Sequence, residues 1–276
     1  MGANSRLPAS RFLRTTGQHA SIEPDAFTQG GFVLSIGGAE QSHVNLAEPG
    51  EIFYEYLRRI GHVVDLAAPA GQAVRALHLG AGALTLARYI QHTRPGSQQF
   101  AVELERELLD FVLQQLPMPE GTQLRALIGD ARDSLAGLPA DPGFDLIILD
   151  IFSGPDAPEH IACAEFYREA AALLRPAGVL IVNVGDEPGM SLVRSQVAAM
   201  RSVFPGVAAS GEAGLFTGRY PGNIILIGTR GAWPAEWTAA LTALGPHPAK
   251  VLTGVELDAL GRIAKPLAGR LSGRAL

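Results

Sequence analysis

The chain has 276 residues, 47% hydrophobic and 18% charged, with a formal net charge of −5. That balance describes a globular protein with one large core or two modest ones, and it argues against a nucleic-acid surface, which needs a clustered basic face. The longest apolar runs, such as Leu146-Ile147-Ile148-Leu149 and Val179-Leu180-Ile181-Val182, fall far short of the roughly 18 residues of a membrane span. Cys163 is the sole cysteine, which leaves no intrachain disulfide and no cysteine-based metal site. The seven histidines show no ligand spacing, so no metal is expected. A reducing cytoplasm is the expected setting.

Taken in chain order, residues 1–20 read as a flexible arm: Arg6, Arg11 and Arg14 have no apolar stretch behind them, unlike a secretory signal. Residues 21–46 hold short apolar pieces broken by Gly30-Gly31 and Gly37-Gly38, the pattern of a small β-hairpin region. Pro49-Gly50 then breaks the chain before helical spacing over 50–66. From 74 to 184 strands alternate with helices. The strands are expected near 75–80, 98–103, 123–128, 144–150 and 178–184, and the helices near 83–92, 104–116, 132–138 and 162–175. Such alternation implies a parallel sheet covered on both faces. A helix near 190–204, β segments near 206–212 and 223–229, and helices at 233–244 and 254–262 complete the chain. The expected fold is α/β: a doubly wound, mostly parallel seven-stranded sheet of methyltransferase type, Rossmann-like, with a small N-terminal β region. The division is an arm over 1–20, the β region and helix over 21–66, a nucleoside-binding catalytic domain over 67–230 and C-terminal helices over 231–276.

The chemistry begins at Ala76-Leu77-His78-Leu79-Gly80-Ala81-Gly82, a buried strand entering a tight turn. Gly80 and Gly82 let the backbone bend and approach a ligand, although many such turns only join a strand to a helix. Glu103 closes the next apolar run 23 positions past Gly80, near the roughly 20 expected of an acid that accepts from ribose hydroxyls. Thr85 stands where a dinucleotide fingerprint has its third glycine, so the turn suits a mononucleoside such as S-adenosylmethionine better than NAD. Asp130 and Asp150 follow two further apolar strands and should share the same sheet edge. Asp130 reads equally as an adenine acceptor or as a helix N-cap. Asp150 faces the loop 151–160, where a carboxylate is costly unless solvated or paired. Asp145, at the strand's other end, reads as structural.

Several of these segments resemble the polyamine aminopropyltransferases, the spermidine synthase family: Ser35–Gln41, Gly80-Ala81-Gly82, Val102-Glu103, Gly129-Asp130-Ala131, Asp145 to Asp150, Glu165-Phe166-Tyr167, Leu174 to Leu180 and Tyr220-Pro221-Gly222. The resemblance runs from about 30 to 230. It implies that Gln41 contacts the nucleoside, Glu103 the ribose and Asp130 the adenine. It implies further that Tyr54 lines an amine channel, Tyr220 touches the acceptor and Asp150 takes the proton of the attacking amine. The co-substrate so implied is decarboxylated S-adenosylmethionine or S-adenosylmethionine, and the partner is a small-molecule amine rather than nucleic acid or membrane. A homodimer is compatible with this.

The departures matter as much. The family's Gly-Gly-Gly-Asp-Gly turn is here Gly80-Ala81-Gly82-Ala83-Leu84, without the acid that meets the amine end of the decarboxylated donor. Its Asp-Ser-Ser-Asp is here Asp150-Ile151-Phe152-Ser153, without the acid that holds the far ammonium of a diamine. Its His/Gln-Glu pair after the helix tyrosine is Glu55-Tyr56. Asp156 or Glu159 are candidates to compensate. Tyr54, Phe152 and Tyr220 offer ring faces to a cation. The expectation is a transferase that alkylates an amine from an adenosyl sulfonium. The alternatives are a methyltransferase using intact S-adenosylmethionine, which Ala83 favours, and a nucleoside-binding protein without catalysis.

Overall fold

The computed structural model describes residues 7–139, 141, 143–151 and 158–262. Four antiparallel strands form a meander: β1 (Ala9–Leu13), β2 (Gln18–Pro24), β3 (Gly31–Ile36) and β4 (Ala39–Asn45). Gly37 and Gly38 both have positive φ between the paired residues Ile36 and Ala39, the two-residue turn whose twist matches its flanking strands. The irregular arm expected over 1–20 is strand from Ala9 onward. β1 pairs from Ala9↔Ile22 to Leu13↔Gln18, and only Leu13 is buried. An edge strand held by backbone bonds shows no hydrophobic alternation, so its sequence reads as coil.

The larger sheet has eight strands in the order β12-β10-β11-β9-β8-β5-β6-β7. Its parallel part is β5 (Arg75–Leu79), β6 (Gln98–Glu103), β7 (Gln123–Ile128), β8 (Phe144–Leu149) and β9 (Leu174–Asp186). Antiparallel β10 (Gly206–Glu212), β11 (Gly222–Thr229) and β12 (Ala249–Thr253) complete it. The eighth strand, β12, has only Val251 and Leu252 as buried residues, too short a pattern to separate it from the surrounding prolines. β9 starts four residues earlier than the expected strand, because Arg175 precedes Pro176 and is driven extended. The expected helix at 132–138 is a 3-10 turn over Asp133–Gly137.

Helices cover both faces. α1 (Glu55–Ala67), α2 (Thr85–Thr93) and α6 (Ala235–Leu244) pack with Ala76, Ile148, Ile181 and Ile225. α4 (Ala164–Leu173), α5 (Ser191–Arg201) and α7 (Gly254–Gly261) pack with Leu77, Leu79, Ile147 and Leu180. Successive strand residues face opposite layers, as a sheet buried on both sides requires. The meander's apolar face, Ala20, Ile22, Leu34 and Val44, rests on Ala81, Leu84 and α3 (Arg106–Gln115). The small sheet thus lies over the first turn of the large one. No helix among the described residues is long and apolar enough to cross a membrane.

Candidate active site

Beyond the carboxyl ends of β5, β6, β7 and β8 the two sheets enclose a cavity of about 620 Å³, within the range of small-molecule sites. Its floor is the turn after β5. Gly80 has φ +89, and an added Cβ there would stand 2.3 Å from the carbonyl oxygen of Asp150. Conformation and space both demand glycine. Gly82 is likewise left-handed, with Ser42 Oγ 2.9 Å from the position of its missing Cβ. Leu84, the N-cap of α2, adopts φ +59 without glycine's freedom, a strain of roughly 1–2 kcal/mol. Its side chain is buried, which offsets that cost.

Glu103 ends β6 with its carboxylate at this turn. The Ala81 N–H donates to Oε2 and the Glu105 N–H to Oε1, each at 3.0 Å. Each oxygen keeps a further lone pair for a hydroxyl donor. Gln41 and Ser42 reach the cavity from β4, and the Ala83 N–H donates to Ser42 Oγ. Asp130 lines the cavity and also caps: its Oδ1 accepts from the Arg132 and Asp133 N–H groups. Its Oδ2 meets His160 Nε2 at 2.8 Å. Burial pushes this carboxyl up, but the bonds from His160 and the two backbone donors outweigh it and hold it below the usual range. The two sequence readings of Asp130, acceptor and cap, are thus compatible at one residue.

Asp150 follows β8 in the cavity wall. Its N–H bonds Leu79 O, fixing the tip of β8 against β5. The Asn183 Nδ2 group donates to its Oδ1 at 2.9 Å. Burial pushes the carboxyl up to about 6, and the Asn183 bond recovers part of that. Asp145, at the far end of the strand, accepts from the Arg75 N–H and pairs with Arg175 at 2.6 Å, as its position at the opposite edge suggested.

Tyr54 and Tyr220 stand apart from the cavity. The Tyr54 hydroxyl donates to Glu40 Oε2, and its ring lies near-parallel to that of Tyr56, 6.2 Å away. Tyr56 is the member of this pair that lines the cavity. Burial first, then the Asp150 and Tyr54 charges, push its phenol upward. Tyr220 is 61% exposed in the loop before β11. Phe152, with Ser153 and Asp156, lies outside the described residues.

Sequence reasoning missed five residues. His78 lines the cavity and gives its Nε2 to Gln99; burial pushes it down to about 4, so it is neutral. Glu105 is 4% exposed, accepts the Thr16 N–H on Oε1, and leaves Oε2 without a partner among the described residues. Thr16 and Gln18 bring the β1–β2 hairpin to the rim. Asn183 is visible only through the pairing of β8 with β9, whereas Glu105, two residues past Glu103, could have been flagged as a second acid at the same tip.

No protein-family model matches the chain. A polyamine aminopropyltransferase from Vibrio vulnificus is 30% identical over 132 residues, which is 47% of this chain and less than half, 43%, of that one. The crystal structure of a probable spermidine synthase from Corynebacterium glutamicum superimposes with a TM-score of 0.88 at 27% identity, over 99% of this chain and 100% of that one. A spermidine synthase in complex with the transition-state analogue AdoDATO shares the fold, with a TM-score of 0.57 at 16% identity over 83% and 73% of the two chains. In sequence and architecture together, the chain is similar to spermidine synthase-like proteins and has a methyltransferase-type fold.

Proposed function

We propose that this protein is an alkyltransferase that binds an adenosyl sulfonium, decarboxylated S-adenosylmethionine or S-adenosylmethionine, and transfers a carbon group to an amine. One observation carries the reading: a single cavity gathers Gln41, Gly80, Gly82, Glu103, Asp130 and Asp150. Glu103 would take the ribose hydroxyls and Asp130 the adenine edge. Asp150 would face the amine. The reaction needs little from the protein beyond alignment, because the sulfonium carbon is already activated. The amine lone pair forms the N–C bond, the C–S pair leaves with sulfur as a neutral thioether, and the surplus ammonium proton passes to Asp150. A carboxyl near 6 is mostly ionised at neutral pH and close enough to it to accept and release that proton. The names of the relatives, and the analogue bound by one of them, support the same reading.

A methyl-transfer reading has one specific observation behind it. Ala83 is buried, with its N–H on Ser42, so no acid at that position would repel the carboxylate of intact S-adenosylmethionine. Calorimetric titration with both sulfonium compounds, followed by mass analysis of the product, tests the proposal. Transfer of an aminopropyl or a methyl group upholds it and names the donor. Absence of binding for both compounds overturns it.

A further inference from the structure

The cavity wall divides by strand. Glu103, Glu105 and Asp130 stand at the tips of β6 and β7, on one side of β5, while Asp150 and its partner Asn183 belong to β8 and β9 on the other. Among the described residues on that second side, Asp150 is the sole carboxylate in the wall. Around it stand Tyr56, Leu57, Ile148 and Ile151. α1, which carries Tyr56, packs on β9 and β11, so the ring belongs to the Asp150 side.

Tyr56 is also held in place. Its ring is 15° from parallel with that of Tyr54, which stands edge-on to Phe53 with centroids 5.6 Å apart. The Tyr54 hydroxyl is tied to Glu40. The wall therefore presents a braced aromatic face beside one carboxylate.

A diamine suits such a wall poorly. One of its nitrogens must lose a proton to attack, and Asp150 serves it. The other stays an ammonium, and among the described residues this side of the wall offers it no second carboxylate, so burying it there is costly. A flat or apolar body gains contact with the Tyr56 ring and the isoleucines instead.

Resting on the transferase reading above, we infer that the acceptor is a primary monoamine with an aromatic or apolar body, its nitrogen at Asp150 and its body against Tyr56. The test supplies phenethylamine and putrescine separately, each with both sulfonium donors. The kcat/KM for phenethylamine should exceed that for putrescine by about tenfold or more. Tyr56→Ala should raise the KM for phenethylamine about tenfold while the KM for the donor holds. Tyr56→Glu should move the ratio toward putrescine. Putrescine ahead in the wild type, or a ratio unmoved by either substitution, overturns the inference and leaves the transferase reading standing. Should neither amine be alkylated, the transferase reading still stands or falls on donor binding, and each amine is titrated into the complex with 5′-methylthioadenosine. Tighter binding of phenethylamine then upholds the inference, and tighter or equal binding of putrescine overturns it.

Discussion

The carboxyl of Asp150 is held at about 6 because burial disfavours its charge, with the Asn183 amide recovering only part of that cost. An amine-activating base must be ionised, so kcat/KM should rise with pH through about 6 and then level. Asp150→Asn keeps the shape and can still accept from Asn183, but it cannot take a proton. Turnover should fall by roughly 10²–10⁴-fold with donor affinity little changed; full activity in this variant would remove Asp150 from the chemistry. The same shift has a consequence for stability. A carboxyl whose folded value lies above its unfolded one, near 4, favours the folded state most below about 4, and that contribution is lost as pH rises through about 6. Asp150→Asn should therefore be more stable than wild type at pH 8, by an amount on the order of 2 kcal/mol, with the gap closing below pH 4. Urea melts at the two pH values read this directly. Glu103 predicts the opposite balance. Its two oxygens already hold the Ala81 and Glu105 N–H groups, so Glu103→Ala strips the turn as well as the ribose site. Glu103→Gln keeps one acceptor and turns an amide toward the other donor. Nucleoside affinity should drop by about 1.5–3 kcal/mol in either variant, and a folded Glu103→Gln with unchanged affinity would sink the ribose assignment.

The turn between β5 and α2 concentrates where this chain departs from the spermidine synthase family it resembles. Where the family reads acid and then glycine, it has Ala83, and Leu84 at φ +59. Ala83→Asp would return a negative charge to the wall and should shift donor preference toward the decarboxylated compound, because like charge disfavours a substrate carboxylate. A ratio of the two donor affinities that does not move would exclude this role. The element scale also shows what the sequence disclosed. The strand-tip acids Glu103, Asp130 and Asp150 were legible because each closely follows a short apolar run, Phe100-Ala101-Val102, Ala126-Leu127-Ile128 and Leu146 to Leu149, and a parallel sheet puts all such tips at one edge. β1 and β12 were not legible, since an edge strand with one or two buried residues carries no periodicity. The choice between Tyr54 and Tyr56 was equally hidden. It depends on the phase at which α1 begins, and helix starts are the least certain feature of any sequence pattern.

At the scale of the whole molecule, the candidate site belongs to neither sheet alone. Leu13, Thr16, Gln18, Ile36 and Gln41 come from the meander, and Gly80, Glu103 and Asp150 from the large sheet. The meander is fastened at the far side of the cavity by contacts along α3: Arg11 to Gln114 at 3.1 Å, Arg14 to Glu107 at 3.3 Å and the Thr16 N–H to Glu105 at 2.9 Å. The outer two are exposed and contribute little by themselves, whereas Glu105 is buried and has one oxygen without a partner among the described residues. A nucleoside in the cavity would touch both sheets and bind only when they are docked, so it should act as a clamp. At 100 times its dissociation constant a ligand of this kind stabilises by about 2.7 kcal/mol, which for a domain of this size raises the unfolding temperature by about 5–10 °C. 5′-Methylthioadenosine is the simple probe, and the expected trace is one transition moving upward as a unit. Glu105→Ala, which frees the hairpin at Thr16, should shrink that ligand-induced rise more than it lowers the melting temperature of the free protein. Two separate transitions, of which the ligand moves only one, would show that the meander is not part of the binding unit and that the large sheet holds the nucleoside alone.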